Sequence, residues 1–167
     1  MNENNKKCYE ILEKLNLHPR VVTHEAILNY EVAAKVDEEL GLTGTETKTL
    51  FLKGKKSGHY YLFITLATQR MDSKFLKNLL LEKIQLVSGD EMTELTGMVP
   101  GCMTPFGLKE GLIQKVVVDN QLFLEDKLIL AFGSETMSVE MDSKDLKTIL
   151  DFVYSGQVYY VDILKEE

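Results

Sequence analysis

The chain has 167 residues, of which 44% are hydrophobic and 27% are charged, and its formal net charge is −7. This length corresponds to one domain with a full core, and the composition excludes a disordered, collagenous or coiled-coil chain. Two cysteines are too few for a disulfide scaffold or a cysteine-based zinc site, and the acidic balance argues against non-specific binding to nucleic acid.

Helices and strands are mixed in the first half of the chain. Apolar residues recur at helical spacing in two segments and form β-prone runs in three others. The predicted elements are a helix from Asn4 to Leu15, a strand from Arg20 to Thr23, a helix from Tyr30 to Leu40 that Gly41 ends, and strands from Thr47 to Lys53 and from Tyr60 to Leu66. The polar loop between the last two strands contains two glycines, which predicts that these strands form a hairpin.

Capping residues mark the helices of the second half. Asp72 can cap a third helix, and Ser88 with Glu91 forms a capping box that opens a fourth, which Gly97 ends. The remaining predicted elements are strands from Gln114 to Val118, Leu128 to Phe132, Thr136 to Met141 and Val158 to Ile163, with a helix opened by Asp142 before the last strand. Because helices and strands do not alternate regularly, we predict an α+β fold, a single mixed α/β domain over residues 1–167.

The N-terminal residues, Met-Asn-Glu-Asn-Asn-Lys-Lys, lack the apolar segment of a secretory signal peptide. The longest apolar runs, such as Leu128 to Phe132, are too short to span a bilayer. The sequence therefore predicts a cytoplasmic protein with reduced thiols and no membrane partner.

Two of the three prolines and three of the eleven glycines lie between Gly97 and Gly107. Proline fixes φ and glycine permits a positive φ, so this segment is predicted to be a stiff loop with exposed N–H groups. Such a loop binds carbonyl, carboxylate or phosphate oxygens through its backbone, or is only a long structural turn, and the residues alone leave both interpretations open. Cys102 lies in the loop without a base beside it, which favours a small buried residue over a nucleophile.

A lysine on an apolar strand face is the second unusual feature. Lys48, Leu50 and Leu52 share one face of the predicted strand. Either Lys48 reaches solvent from the end of the strand, or it is a cation in the mouth of a pocket that meets an anion. Further lysines near the hairpin tip either keep it solvated or contact a phosphate backbone; they are Lys53, Lys55 and Lys56.

None of the three histidines has metal-ligand spacing, so the sequence predicts no metal site and no cofactor. His24 ends the first strand and either points into a cleft or has a structural role, which is the interpretation that the residues favour.

The two features together resemble a known family. The segment from Thr47 to Leu52, followed about 50 residues later by Gly97-x-x-Pro100-Gly101-x-x-Thr104-Pro105-Phe106-Gly107, is similar to the YbaK/ProX-like family. Its members are aminoacyl-tRNA deacylases related to the editing insertion of bacterial prolyl-tRNA synthetase, and the similarity covers about residues 5–152. The resemblance implies a partly rolled mixed sheet flanked by helices. It also implies hydrolysis of the ester that joins a mischarged amino acid to the tRNA 3′ adenosine.

The resemblance implies roles for individual residues. Lys48 would hold and orient the tRNA 3′ end, and backbone N–H groups around Gly101 would face the ester carbonyl. The other implied substrate-binding residues are His24, Thr49, Pro100, Thr104, Pro105, Phe106, Gly133 and Ser134, with Lys53, Lys55 and Lys56 as weaker tRNA contacts. The family uses no protein nucleophile, because a water molecule helped by the substrate's ribose hydroxyl attacks. The implied partners are the aminoacyl-tRNA 3′ end and an aminoacyl-tRNA synthetase or an elongation factor.

Some residues depart from the branch of the family that clears alanine from proline tRNA. Thr49 stands where that branch has asparagine, and residues 132–135, Phe-Gly-Ser-Glu, stand where it has a His-Pro pair. These positions look more like the cysteinyl-tRNA-type branch, whereas Phe106 and Gly107 are similar to the proline-type branch. We expect a deacylase that acts in trans on a small amino acid attached to proline tRNA. The alternatives are an inactive module that binds aminoacyl-tRNA or a nucleotide, and a protein-interaction domain of the translation machinery.

Overall fold

The structure is a computed structural model that describes residues 1–163 of the chain. Its helices are Glu3–Lys14 (α1), Tyr30–Leu40 (α2), Ser73–Leu80 (α3), Gly89–Thr96 (α4) and Ser143–Val153 (α5). Its strands are Arg20–Thr23 (β1), Thr45–Gly54 (β2), Tyr60–Leu66 (β3), Ile84–Leu86 (β4), Ile113–Asp119 (β5), Lys127–Ser134 (β6), Met137–Asp142 (β7) and Val158–Val161 (β8). A short 3₁₀ helix, Asn120–Leu124, joins β5 to β6.

The strands form one mixed sheet in the order β1-β7-β6-β2-β3-β5-β8, and β4 pairs with β2 beside this path. Hairpin neighbours such as β2–β3 and β6–β7 are antiparallel, whereas β2–β6, β3–β5 and β5–β8 are parallel. Parallel neighbours require crossover connections, which the segments that contain the helices supply. The predicted single mixed α/β domain is therefore confirmed.

Apolar side chains pack on both faces of the sheet. The larger cluster lies between the sheet and helices α1 and α5, and it includes Phe51, Phe106 and Phe132. The smaller cluster lies under α3 and includes Leu52 and Phe63. Because neighbouring residues of a strand point to opposite faces, β2 contributes Phe51 to one cluster and Leu52 to the other.

Predicted caps set several helix ends. The Asp72 carboxylate accepts a hydrogen bond from the Phe75 N–H, and Gly41 ends α2 with a left-handed φ of 68°. Only half of the predicted capping box of α4 forms. Ser88 accepts from the Glu91 N–H, but the Glu91 carboxylate bonds elsewhere. Asp142 occupies the N-cap position of α5 without a capping hydrogen bond from its side chain.

Strands β2 and β6 separate soon after they meet, and this positions the site. They pair only over the first two residues of β2, which then continues beside β3. Threonine hydroxyls bond carbonyl groups of β6 along the separation: Thr47 donates to the Ile129 carbonyl at 2.9 Å, and Thr104 donates to the Ala131 carbonyl at 2.8 Å. A cleft in the sheet results. Among residues 1–163, the helices are all too short or too polar to cross a membrane.

Candidate active site

The cleft lies between residues 46–49 of β2, residues 101–103 of the proline- and glycine-rich loop, and the turn between β6 and β7. It holds about 450 Å³ of empty space, part of which is open to solvent. Of the residues implied by sequence, five line it: His24, Lys48, Thr49, Gly101 and Ser134.

Lys48 brings a positive charge into this cleft. Burial lowers the pKa of its amine from the usual 10.5, because a partly desolvated ammonium group is less stable than a hydrated one. Among the ion pairs of residues 1–163, none involves Lys48. The Lys48 ammonium group therefore remains available to an anion that enters the cleft, which favours the pocket interpretation of Lys48 over a solvated strand end.

The loop opposite Lys48 is fixed by anchors on either side of Gly101. Pro100 packs close to Gly89 at the start of α4, since a β-carbon on that glycine would lie 3.1 Å from the proline ring. Farther along, the Tyr154 hydroxyl donates to the Pro105 carbonyl at 2.7 Å, and Phe106 is completely buried. These contacts give the loop the stiffness that its composition predicts.

Gly101 has a φ of 86°, and a β-carbon built there would meet no atom within 4 Å. The positive φ explains the requirement for glycine, because other residues are strained in this conformation. The Cys102 N–H is already bonded to the Val99 carbonyl at 3.1 Å, whereas among the backbone hydrogen bonds of residues 1–163 none uses the N–H of Gly101 or Met103, which also line the cleft.

Several implied site residues do not line the cleft. Pro100, Pro105 and Phe106 anchor the loop, and Thr104 is buried with its hydroxyl bonded to β6. Gly133 faces α1, where an added β-carbon would lie 2.7 Å from the Asn5 backbone nitrogen. The family resemblance implied substrate contact for all five, whereas the structure places them outside the cleft lining, in contacts that hold the loop and β6 in position.

His24 meets Ser138 at the inner wall of the cleft. The His24 Nδ1 lies 2.7 Å from the Glu25 carbonyl, which can only accept, so Nδ1 carries a proton. In the neutral imidazole, Nε2 then accepts from the Ser138 hydroxyl at 2.8 Å. His24 therefore both faces the cleft and has a structural role, while Ser138 was not foreseen from the sequence.

A pair of carboxyl groups also escaped the sequence analysis. Glu46 lines the cleft two residues before Lys48, and its side chain is hydrogen-bonded to Asp37 of α2. Burial and the neighbouring Asp37 raise the pKa of Glu46 to about 9, so the pair holds a proton at neutral pH. No sequence spacing signals this contact, because it joins a helix to a strand through the fold. The available signal was the strand alternation: Glu46 lies two positions before Lys48 in β2, so both side chains are on the same face of the strand.

Cys102 is a poor nucleophile in this setting. Its thiol donates to the Ile27 carbonyl at 3.3 Å, and burial together with the Glu135 carboxylate raises the pKa of Cys102 to about 11. Because the thiolate is the reactive form, the geometry agrees with the prediction of a small buried residue.

The lysines near the hairpin tip lie apart from the cleft. Lys53 is paired with Glu91 at 3.2 Å, and Lys55 and Lys56 are exposed. Lys55 lies seven positions after Lys48, which corresponds to about 23 Å in an extended strand. Within the part of the chain that the structure describes, no group of three or more His, Cys, Asp or Glu residues is arranged to hold a metal ion.

A cation without an ion pair and a rigid backbone loop that line one cleft are suited to binding an anionic ester. Residues 24–149 match the aminoacyl-tRNA editing domain, and the chain belongs to that family. The chain is accordingly an aminoacyl-tRNA deacylase, a hydrolase whose substrate is an aminoacyl-tRNA.

Solved structures share the fold. The hypothetical protein APE2540 is 23% identical with a TM-score of 0.76, covering 93% of this chain and 97% of its own. A candidate trans-editing enzyme for prolyl-tRNA synthetase is 21% identical with a TM-score of 0.75, and the similarity covers 99% of both chains. A search of curated protein sequences finds no match.

Proposed function

We propose that this chain acts in trans, as a free-standing hydrolase that removes a small amino acid from mischarged proline tRNA. The observation that carries the proposal is that Lys48 and the open backbone at Gly101 line the same cleft. Lys48 holds the phosphate of the tRNA 3′ end. The backbone N–H groups of Gly101 and Met103 face the ester carbonyl, where negative charge develops as water adds, while the Cys102 N–H stays bonded to the Val99 carbonyl.

The reaction needs no group on the protein to form a covalent bond. A water molecule, deprotonated with the help of the neighbouring ribose hydroxyl, adds to the ester carbonyl. The bond between this carbon and the ribose oxygen then breaks, and the oxygen leaves as a hydroxyl group on the tRNA. The free amino acid is the second product. The raised pKa of the Cys102 thiol is consistent with this mechanism.

The preference for a small amino acid follows from the walls of the cleft. Ala33, Met103 and Met137 are buried and line it, so they limit the space beside Lys48. A pocket excludes a larger side chain much more effectively than it rejects a smaller one, because one methylene group contributes only about 1–3 kcal/mol. Proline tRNA is favoured by the resemblance of Phe106 and Gly107 to the proline-type branch. The cytoplasm is the expected compartment, with a synthetase or elongation factor as the delivering partner.

A panel of mischarged tRNAs tests the proposal. Proline tRNA carrying alanine, serine, cysteine or proline is compared with cysteine tRNA carrying the same amino acids, in single-turnover assays. We expect proline tRNA carrying alanine to be hydrolysed at least tenfold faster than the other members of the panel. Preferential release of cysteine would assign the chain to the cysteinyl-tRNA-type branch. No release from any member would favour the inactive binding module.

A further inference from the structure

Two large exposed apolar side chains adjoin residues that line the cleft. Leu28 is 78% exposed and Tyr30 is 60% exposed, although Ile27 and Ala33 beside them line the cleft. Tyr30 is the first residue of α2, and Ala33 follows three residues later, so the two side chains share one face of the helix. About one turn of helix, roughly 5.4 Å, separates Tyr30 from the cleft wall.

The segment that carries these side chains is held in a fixed position. The backbone N–H groups of His24 and Ile27 donate to carbonyl groups of the β6–β7 turn, at 2.9 and 3.0 Å. The thiol of Cys102 donates to the Ile27 carbonyl and so ties the segment to the stiff loop. Leu28 and Tyr30, which we call the apolar rim, therefore form a surface that exists before any ligand binds.

The charges around the apolar rim are unfavourable for a phosphate backbone. Glu25, Glu31 and Glu135 lie on the rim segment, on the first turn of α2 and on the adjoining turn. The nearby Lys35 is already 3.6 Å from Glu25. A nucleic-acid strand crossing the rim would gain little from phosphate contacts there. Its unpaired bases can instead stack on an aromatic side chain, an interaction that does not depend on charge.

We propose that Tyr30, with Leu28 beside it, is a stacking platform for the unpaired base that precedes the 3′-terminal adenosine of the aminoacyl-tRNA. The inference rests on the proposed function, in which the ester of the terminal nucleotide occupies the cleft. The preceding nucleotide then leaves the cleft through its mouth, where the apolar rim lies. The occupant is thus the next nucleotide of the same substrate, so the rim continues the binding surface of the cleft.

Substrates of different length separate the rim from the cleft. An aminoacyl-adenosine fills the cleft alone, whereas an aminoacylated CCA trinucleotide also reaches the rim. We expect Tyr30→Ala to lower kcat/KM for the trinucleotide by roughly 5- to 150-fold, the range for the stacking of one base, and to leave kcat/KM for aminoacyl-adenosine unchanged. Tyr30→Phe should keep the wild-type rate on both substrates. The matched control is Phe152→Ala, which removes an aromatic side chain that is 51% exposed on α5 and should change neither rate.

A second measurement does not depend on hydrolysis. A trinucleotide with 2-aminopurine at the penultimate position loses fluorescence when this base stacks, so the wild type and Tyr30→Phe should quench it and Tyr30→Ala should not. Failure of the wild type to quench overturns the platform, as does an equal loss of rate on both substrates or a loss with Tyr30→Phe. Quenching by a wild-type protein that hydrolyses no aminoacyl substrate would support the platform and overturn the proposed function.

Discussion

Lys48 is the group whose removal tests the cleft most directly. A charge-assisted contact with a phosphate contributes about 1.5–3 kcal/mol, so Lys48→Ala should lower the deacylation rate by roughly ten- to a hundredfold. Circular dichroism and the melting temperature should stay close to the wild type, because Lys48 has no ion pair among residues 1–163.

Lys55→Ala provides the matched control, since it removes the same charge from an exposed position about 23 Å away along β2. On a short 3′-end substrate this control should keep the full rate. Equal rates for Lys48→Ala and the wild type, with both proteins folded, would show that the cation takes no part in the reaction.

The substitution Gly101→Ala distinguishes a structural role of the loop from a catalytic one. With φ at 86° and no atom within 4 Å, a β-carbon fits sterically but costs about 1–2 kcal/mol in backbone strain. If strain also displaces an N–H donor from the ester carbonyl, the transition state loses about 2.7–4 kcal/mol. Gly101→Ala should therefore reduce the single-turnover rate more, in energy terms, than it reduces stability. A melting curve and a rate measured on the same preparation decide this. A large fall in melting temperature at near-normal turnover would mean that the loop is only a structural turn.

At the scale of elements, the Glu46–Asp37 contact links the stability of α2 and β2 to pH. The pKa of Glu46 is about 9 in the folded protein and 4.5 for an ordinary glutamate, so between these values the folded state holds a proton that the unfolded state has released. Stability therefore falls as pH rises from about 4.5 to about 9. Glutamine cannot ionise and still donates a hydrogen bond to Asp37. Glu46→Gln should therefore flatten this fall and make the protein more stable than the wild type at pH 8.5.

Urea unfolding at pH 5 and pH 8.5 measures the effect. Glu38→Gln, an exposed substitution on the same helix, should leave the pH dependence as it is in the wild type. If Glu46→Gln and the wild type lose stability in parallel between the two pH values, the carboxyl pair does not hold its proton in the folded state.

Local signals in the sequence were sufficient for most element ends and for the β2–β3 hairpin, but not for the pairing of distant strands. Asp72, Gly41 and Gly97 each act within a few residues, so their effects can be predicted from the chain alone. Strand β4 was missed because three residues carry too little pattern. The brief parallel pairing of β2 with β6 was missed because it joins segments about 80 residues apart. That pairing and its early end create the cleft, so local patterns did not predict its location.

The same distinction holds within the site. Lys48 and Gly101 were placed together by the family resemblance, and both line the cleft. Ser138 lines it as well, but its partner His24 is 114 residues away in the sequence. Glu46 also lines it, and its partner Asp37 is near in sequence but lies on a different element, the helix α2. Position 133 requires glycine because α1 packs closely against its backbone, and only the folded structure reveals this close contact.

At the scale of the whole molecule, α1 is an integral part of the domain although it precedes the matched residues 24–149. Its Cys8 and Leu12 are buried in the main cluster, and the Asn5 side chain bonds to the Phe132 carbonyl on β6. The helix therefore supports the bulged end of the strand whose other side forms the cleft. The structural similarity to the trans-editing enzyme accordingly covers 99% of the chain, beyond the matched residues 24–149.

The net charge of −7 limits how a polyanion can bind this molecule. Each phosphate neutralised by a lysine contributes about 0.7 to 0.9 to the slope of log affinity against log salt concentration. If Lys48, Lys55 and Lys56 are the phosphate contacts, full-length tRNA should show a slope of about −2 to −3. Lys48→Ala should reduce it by about one unit, and the double variant Lys55→Ala/Lys56→Ala by about two.

On the CCA trinucleotide, which is too short to reach the hairpin tip, only Lys48→Ala should have an effect. An unchanged slope in the double variant on full-length tRNA would show that the hairpin lysines are merely solvated. A wild-type slope steeper than about −5 would require a basic surface beyond these three residues.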